Sequence, residues 1–402
     1  MNIIVQKFGG TSMANKESIK LVVKKITQEL TKNKKVITIV SAPSGITNYL
    51  QKLIEEMSPN PSNKELDLIL SLGENISISV LSSILKNNDI KSSFINPRDI
   101  DLITDNNFNN AKIKRIDINK IYDLLRLYDV LIIPGFQGIS EKFEVTTLGR
   151  GGSDITAIAI AAALSLEYVD IYTDVDYVYS CDPKLVKNPI KNKSLSYEEM
   201  IELSSSGAKV LHNRCVEIAH KYDLKINLKN TFSNKTGTII HDNIEKSFIS
   251  GISLLEDNFI INFEISNLKD LSDFFKILSE NKININIVSQ SLKNISISIN
   301  NKYYEKTISL LNTIKSNINI LNINIYKNLS KISIVGDGIK DNYGIISKII
   351  NTLNQNKINI NMISCSEINI SLLIDKKNIC KAINLLHYEL IESDFKKQEE
   401  II

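Results

Sequence analysis

The chain has 402 residues, 43% hydrophobic and 23% charged, a balance that fits two or more folded domains and argues against a disordered chain. Its 48 Lys and Arg oppose 45 Asp and Glu for a net charge of +3, so nothing calls for a polyanionic partner, and no basic and aromatic clustering points to nucleic acid. No apolar run reads as long enough for a membrane span and the start MNIIVQKFGG lacks a signal-peptide core, while four cysteines without a CxxC pair suit a reducing, cytoplasmic setting rather than a zinc ribbon.

In chain order, residues 2–8 (NIIVQKF) form a short β-rich run, GGTSM turns, and a helix is predicted over 15–32. KKVITIVSA (34–42) is a second strand ending in SAPSG, followed by a helical stretch near 47–57. VLIIPGF (130–136) is a third strand, and the Ala-rich run at 155–166, with strong helix propensity, precedes a fourth, YVDIYTD (168–174). Strands alternating with helices predict an α/β fold with a mainly parallel sheet covered on both faces. Such sheets take ligands at the carboxyl ends of their strands, where the Gly-, Ser- and Asp-rich segments fall.

The second half repeats itself. NKININIV begins at Asn281 and NKININMI at Asn356, and the same 75-residue offset relates Ser289 to Ser364, Ser291 to Ser366 and Asn294 to Asn369. Each copy reads strand, helix, strand, strand, helix, the pattern of a ferredoxin-like split βαβ unit in tandem. Modules of this kind bind ligands or pair with each other, so chemistry is expected in the first half.

Walker A, GxGxxG and GxSxG patterns are absent, and the four histidines form no metal-ligand pattern and read as structural. The first positive signal is Lys7, Phe8, Gly9, Gly10, Thr11, Ser12. A lysine at the end of a strand, followed by glycines and a helix start, sets an ammonium beside unpaired N–H groups and favours phosphate oxygens. The alternative is a tight turn capped by Thr11 or Ser12. The second signal is Gly149 to Asp154 (GRGGSD), just before the Ala-rich helix. Its glycines permit close backbone approach, Arg150 can fork onto a carboxylate, and Asp154 could orient a phosphoryl-transfer site. The competing reading is a loop ending in an N-cap at Ser153 or Asp154. Three further segments, Ser41 to Thr47, LSLGE around Glu74, and 172–184 (YTDVDYVYSCDPK), identify no activity alone, and for each a solvated loop or helix face is about as fitting as a site.

Together these segments resemble the aspartate kinases of the amino-acid kinase family. KFGGTS, the SA..G.T loop, LGE, TTLGRGGSD (146–154), TDVD..Y..DP (173–183) and SYEEMIELSSSGAKVLH (196–212) stand in family order. The resemblance implies a three-layer αβα sandwich over 1–245 and two ACT modules over about 246–325 and 326–402, which in this family can interlock. It implies transfer of the γ-phosphoryl of ATP, carried with Mg²⁺, to the β-carboxylate of L-aspartate, in a cytoplasmic homodimer joined through the ACT modules. Lys7 and Asp154 would be catalytic. Glu74 would take the substrate ammonium and Arg150 a substrate carboxylate, with Ser41, Thr47, Gly152 and Ser153 lining the substrate. Lys7, Phe8, Gly9, Gly10, Thr173, Asp174, Tyr179, Asp182, Lys184 and Lys209 would hold the nucleotide, and no metal ligand is assigned to the protein.

The chain departs from the family pattern at Tyr177, where Gly is usual, at Lys184 for Arg, and at Asn213 for Pro. Lys184 keeps the charge but not the bidentate fork. The first ACT turn reads Ser266, Asn267, Leu268, Lys269, Asp270, Leu271 where an Asp…Pro-Gly turn is expected. The second keeps Gly336, Asp337, Gly338 and Gly344 but has Tyr343 for Pro. Weak or absent inhibition by lysine or threonine is the expectation. The competing functions are a kinase for another acceptor and an amino-acid sensor with a degenerate kinase half.

Overall fold

A computed structural model describes residues 1–208, 210–242, 249–265, 267–291, 294–314, 320–339 and 342–393. The chain divides into two compact units. One comprises Met1–Val178, Lys191–Ser204 and Lys209–Ile244, and the other Tyr179–Ile190, Ser205–Ala208 and Glu245–Ile402.

The first unit is organised by an eight-stranded sheet. Its centre is four parallel strands in the order Tyr168–Thr173, Ile3–Phe8, Lys35–Val40, Val130–Pro134. Ser92–Phe94 extends it in parallel on one side and Lys225–Asn230 on the other. Thr238–Ile240 runs antiparallel beside Lys225–Asn230, with the two-residue strand Ser194–Leu195 outside it. All four strands predicted from β-branched runs are present. They are buried on both faces, as near-continuous Val and Ile runs require.

Side-chain alternation sorts these strands between two layers of helices. Ile4, Phe8, Val36, Val40, Val130 and Ile132 pack with Ile19, Val22 and Ile26 of helix α1 (Lys16–Leu30) and with Ile78, Leu81 and Leu85 of a long helix, Asn63–Asn87. The opposite face meets the helix Gly152–Ala163, whose small alanines let it lie close to the sheet. The predicted three-layer αβα arrangement is therefore present. Asn63–Asn87 is long and apolar enough, by composition alone, to cross a membrane, unlike the reading of the sequence. Half of its most apolar window is buried, and it carries two buried carboxylates, Asp67 and Glu74, bonded to neighbouring loops. That is the pattern of a core helix.

The second unit carries a six-stranded antiparallel sheet in the order Ile285–Ser291, Asn294–Asn300, Gly251–Ile265, Ile320–Val335, Asn369–Asp375, Met362–Cys365. The 75-residue repeat is visible as two strand and helix sets, with Leu268–Glu280 and Tyr304–Ile314 in one and Ile345–Gln355 and Ile379–His387 in the other. Two long strands serve both. The ladder between Gly251–Ile265 and Ile320–Val335 breaks register between Leu255 and Asn258, and Gly251 to Leu255 pairs with Lys331 to Val335 on the far side of the break. The first copy is thus inserted between a leading strand, Gly251 to Leu255, and the rest of the second. Ile320–Val335 runs through position 325.

Candidate active site

Strand parity explains the first feature. Lys7 is an odd residue of Ile3–Phe8, so it points away from Phe8 and toward the helix Gly152–Ala163. Its Nζ lies 2.6 Å from Asp154 Oδ1, in the first turn of that helix, with both side chains almost buried. At that distance the two form a close ion pair. A lysine and a carboxylate taken out of water together are costly unless something else uses them.

Four loops at the carboxyl ends of the central strands interlock. Ser41 N–H donates to Phe8 O at 3.1 Å, Ser44 N–H to Gly10 O at 3.1 Å, Gly135 N–H to Val40 O at 2.9 Å, and Gly9 N–H to Tyr172 O at 3.2 Å. KFGG, SAPSG and the Pro-Gly after the third strand are thereby brought together, as the strand-end argument predicts. Asn63–Asn87 closes against them through Gly73, where a Cβ would stand 2.6 Å from that of Ala42. Only glycine permits this approach, and it sets the next residue, Glu74, against the loop.

Glu74 is 3% exposed, so it is not on a solvated face, contrary to the alternative raised by its helical context. Its Oε1 accepts the Ala42 N–H at 2.9 Å. Its Oε2 is buried with no hydrogen-bond partner among the described residues. Burial pushes its pKa up to about 7, against the opposing pull of the backbone N–H bonds. An acceptor held dry and unsatisfied is a place for a donor, and a cation would restore its charge. Ser77 Oγ donates to Ser41 O at 2.7 Å, fixing the loop from the same helix. Ser41 and Thr47 are half-buried and Ser153 is buried.

The GRGGSD loop is held from three sides. Gly151 has φ +70°, a left-handed conformation that side chains resist, and His212 stands against it where a Cβ would meet its own at 2.6 Å. Arg214 donates to Leu148 O at 2.8 Å and to Ala111 O at 2.7 Å. Asp67, fully buried, accepts from Thr147 N–H at 2.7 Å, from Thr147 Oγ1 at 2.6 Å and from Asn109 N–H at 3.0 Å. Burial raises the Asp67 pKa against these bonds. Asp67 and Arg214 carried no motif signal, since their chemistry depends on loops 80 and 66 residues away. His212, read as structural, lies at the edge of this loop with its pKa lowered by burial and by Arg214 and Arg150. Arg150 itself is exposed, and Gly152 is buried at the helix start.

Phe8 stacks on Tyr172 with ring centroids 4.7 Å apart, which steadies the start of the KFGG turn. Beyond Tyr172, Thr173 Oγ1 donates to Asp174 Oδ1 at 3.1 Å, and Asn230 Nδ2 donates to Asp174 O at 3.1 Å and to Asp176 Oδ1 at 2.9 Å. Thr173 and Asp174 are therefore presented beside the KFGG turn by the ends of two adjacent strands. Tyr179, Asp182 and Lys184 belong to the second unit, where Asp182 Oδ1 accepts the Lys184 N–H at 2.9 Å. Lys209 lies outside the described residues. Among the described residues no group of three His, Cys, Asp or Glu side chains could hold a metal.

The chain resembles known proteins along nearly its whole length. The model of the amino acid kinase family matches residues 2–230, and that of an ACT domain matches 332–390. An aspartokinase of Bacillus sp. (strain MGA3) is 37% identical over 410 residues, covering 99% of this chain and 100% of the relative. One from Helicobacter pylori (strain 26695) is 36% identical over 401 residues, covering 96% and 98%. The structure of Clostridium acetobutylicum aspartate kinase superposes with a TM-score of 0.82 at 25% identity, covering 96% of this chain and all of that one. Escherichia coli aspartokinase III in complex with aspartate and ADP gives 0.82 at 22% identity, covering 97% and 100%, a likeness of fold. With a kinase model over more than half its length and relatives aligned end to end, the chain belongs to the amino acid kinase family, among its aspartokinases.

Proposed function

We propose that the chain transfers the γ-phosphoryl group of ATP to the β-carboxylate of L-aspartate, giving 4-phospho-L-aspartate and ADP. The observation that carries the acceptor is Glu74, whose buried, unsatisfied oxygen suits the ammonium of an amino acid. Arg150, exposed on a loop between Gly149 and Gly151, meets a carboxylate of the same zwitterion. Ser41, Thr47 and Ser153 offer hydroxyls and Gly152 its backbone. Lys7 neutralises the phosphoryl oxygens, and Asp154 holds the ammonium in place until they arrive. Phosphoryl transfer asks little covalent chemistry of a protein, so positioning and charge stabilisation supply the rate.

The nucleotide is read onto Phe8, Gly9, Gly10, Thr173 and Asp174, with Tyr179, Asp182, Lys184 and Lys209 completing the set. Mg²⁺ enters this reading with the phosphates, whose oxygens and retained waters suit an ion that seldom needs a protein cage. The modules of the second unit are assigned to homodimer formation in a cytoplasmic enzyme.

The test is ADP release from Mg-ATP with and without L-aspartate, in the wild type and in Asp154→Asn. Aspartate-dependent turnover that the substitution removes is the expected result. Turnover indifferent to aspartate in a folded, ATP-binding protein would overturn the acceptor assignment.

A further inference from the structure

The last helix ends in an unusual turn. Ile379–His387 is α-helical, and Tyr388–Glu392 continues as one π-helical turn. In an α-helix residues five apart face different sides, because a turn takes 3.6 residues. One π turn, with its i to i+5 repeat, brings them together. Here it sets Glu392 Oε1 2.9 Å from His387 Nδ1. The other ring nitrogen, Nε2, lies 2.8 Å from Ser180 Oγ.

The carboxylate fixes the role of one ring nitrogen. A carboxylate only accepts, so Nδ1–H donates to Glu392, and Nε2 is the ring atom that shares a hydrogen bond with the Ser180 hydroxyl. Ser180 Oγ in turn accepts the Ile190 N–H at 2.8 Å. A serine, histidine and glutamate in a row could suggest a nucleophile. Ser180 is 2% exposed and His387 0%, and no substrate reaches them.

The row instead fastens a segment. Asn188 Nδ2 donates to Glu392 Oε2 at 3.2 Å, Asn384 Nδ2 to Leu185 O at 2.8 Å, and Ile252 N–H to Ser180 O at 2.6 Å. Cys181 and Val186 are buried in the same cluster as Leu386, Leu390 and Ile391. Ser180 and Cys181 lie between Tyr179 and Asp182, two of the residues read as nucleotide-binding. Tyr179–Ile190 is thus built into the second unit by the last helix.

We propose that Ser180, His387 and Glu392 are positioning residues for the nucleotide, a clamp by which the C-terminal helix sets the segment that carries Tyr179, Asp182 and Lys184. The π turn is the part that makes the clamp possible. The proposal rests on the assignment of that segment to the nucleotide.

The experiment is steady-state kinetics on full-length Ser180→Ala, Glu392→Ala, Glu392→Gln and Asp182→Ala, with thermal midpoints alongside. Ser180→Ala and Glu392→Ala are expected to raise KM for Mg-ATP about tenfold, the size of one lost buried hydrogen bond, with kcat and the aspartate KM within about twofold. Glu392→Gln keeps an acceptor oxygen and is expected within about threefold of wild type. An ATP KM unmoved in Ser180→Ala and Glu392→Ala but raised in Asp182→Ala would overturn the clamp alone. An ATP KM unmoved in all four would overturn the nucleotide assignment and the clamp with it. A uniform fall in kcat and in both affinities, tracking lost thermal stability, would reduce the row to a structural bond.

Discussion

The two units were built from sequence signals of different kinds, and they reward reading differently. In the first, short motifs far apart in the chain converge at adjacent strand ends, and the proposed reaction gives each residue there a chemical duty. In the second, a 75-residue repeat dictates strands and helices but no chemistry. A repeat constrains pattern, which any apolar residue can satisfy. A site constrains identity, because one atom must be in one place. The first unit should therefore be intolerant of isosteric changes at a few positions, and the second tolerant of them.

The sharpest way to break that contrast is at Lys7. Lys7→Met is expected to lower kcat by roughly 10²- to 10³-fold, the cost of losing a charge aimed at the transferring group. It also strands Asp154 as a buried charge, which destabilises by about 3–5 kcal/mol. The double variant Lys7→Met, Asp154→Asn is expected to recover the thermal midpoint and none of the activity. Recovery of activity would show that the pair is structural.

Glu74 comes next. Glu74→Gln is expected to raise the aspartate KM about 100-fold and to leave the ATP KM alone, as for a buried charge pair losing one partner. The pH dependence has a definite sign. With its pKa raised to about 7, Glu74 in the free protein protonates as pH falls through that value, and aspartate binding weakens on the acid side. The variant removes that limb. Stability runs the other way: the folded state binds this proton more tightly than the unfolded one, whose carboxyl titrates near 4.5. The contribution is present in full below about 4.5 and is lost as pH rises through about 7. Thermal midpoints across that window, wild type against Glu74→Gln, measure it.

A smaller effect is expected at Asp67, which touches no substrate in this reading. Asp67→Asn keeps one acceptor but leaves a buried N–H or hydroxyl of the Asn109 and Thr147 set without a partner. The cost is about 1–3 kcal/mol of stability, with about a tenfold fall in kcat as the GRGGSD loop loosens. Unchanged kinetics with lowered stability would confine Asp67 to the fold.

What was legible in the sequence follows the same division. The four central strands were readable because buried parallel strands are continuous β-branched runs. Gly152 and Asp154 draw attention because an arginine flanked by glycines is a poor choice for a mere cap, while Lys7, Gly9 and Gly10 alone fit a site or a tight turn equally. For Glu74 the helix pattern alone leaves a solvated face as likely as a site, since an acidic residue in an apolar helix shows its burial only when the helix is packed. Asp67 and Arg214 were silent, their partners lying on loops distant in sequence. The resemblance allows the two modules of the second unit to interlock, but a repeat announces only two copies, and the pairing of Gly251 to Leu255 with Lys331 to Val335 shows which strands they share.

The smallest expected effect concerns the second unit's turns. A turn that grips the carboxylate of an amino acid offers free N–H groups at a helix start. At Leu268–Glu280 the N-cap Asn267 takes that role itself, its Oδ1 accepting the Asp270 N–H at 2.9 Å while its Nδ2 donates to Asp270 Oδ2 at 2.9 Å. In the second copy the Gly344 N–H is turned onto Asn342 Oδ1 at 3.2 Å, beside a fully exposed Tyr343. Ser266, Lys340 and Asp341 of these turns lie outside the described residues. Donors already satisfied by the chain's own side chains have little to gain from a ligand, since the exchange returns one hydrogen bond for another. Calorimetric titration with lysine and with threonine is therefore expected to show no micromolar binding. Micromolar heat from either would mean that these turns rearrange to release their caps, and that the second unit, too, carries chemistry that constrains residue identity.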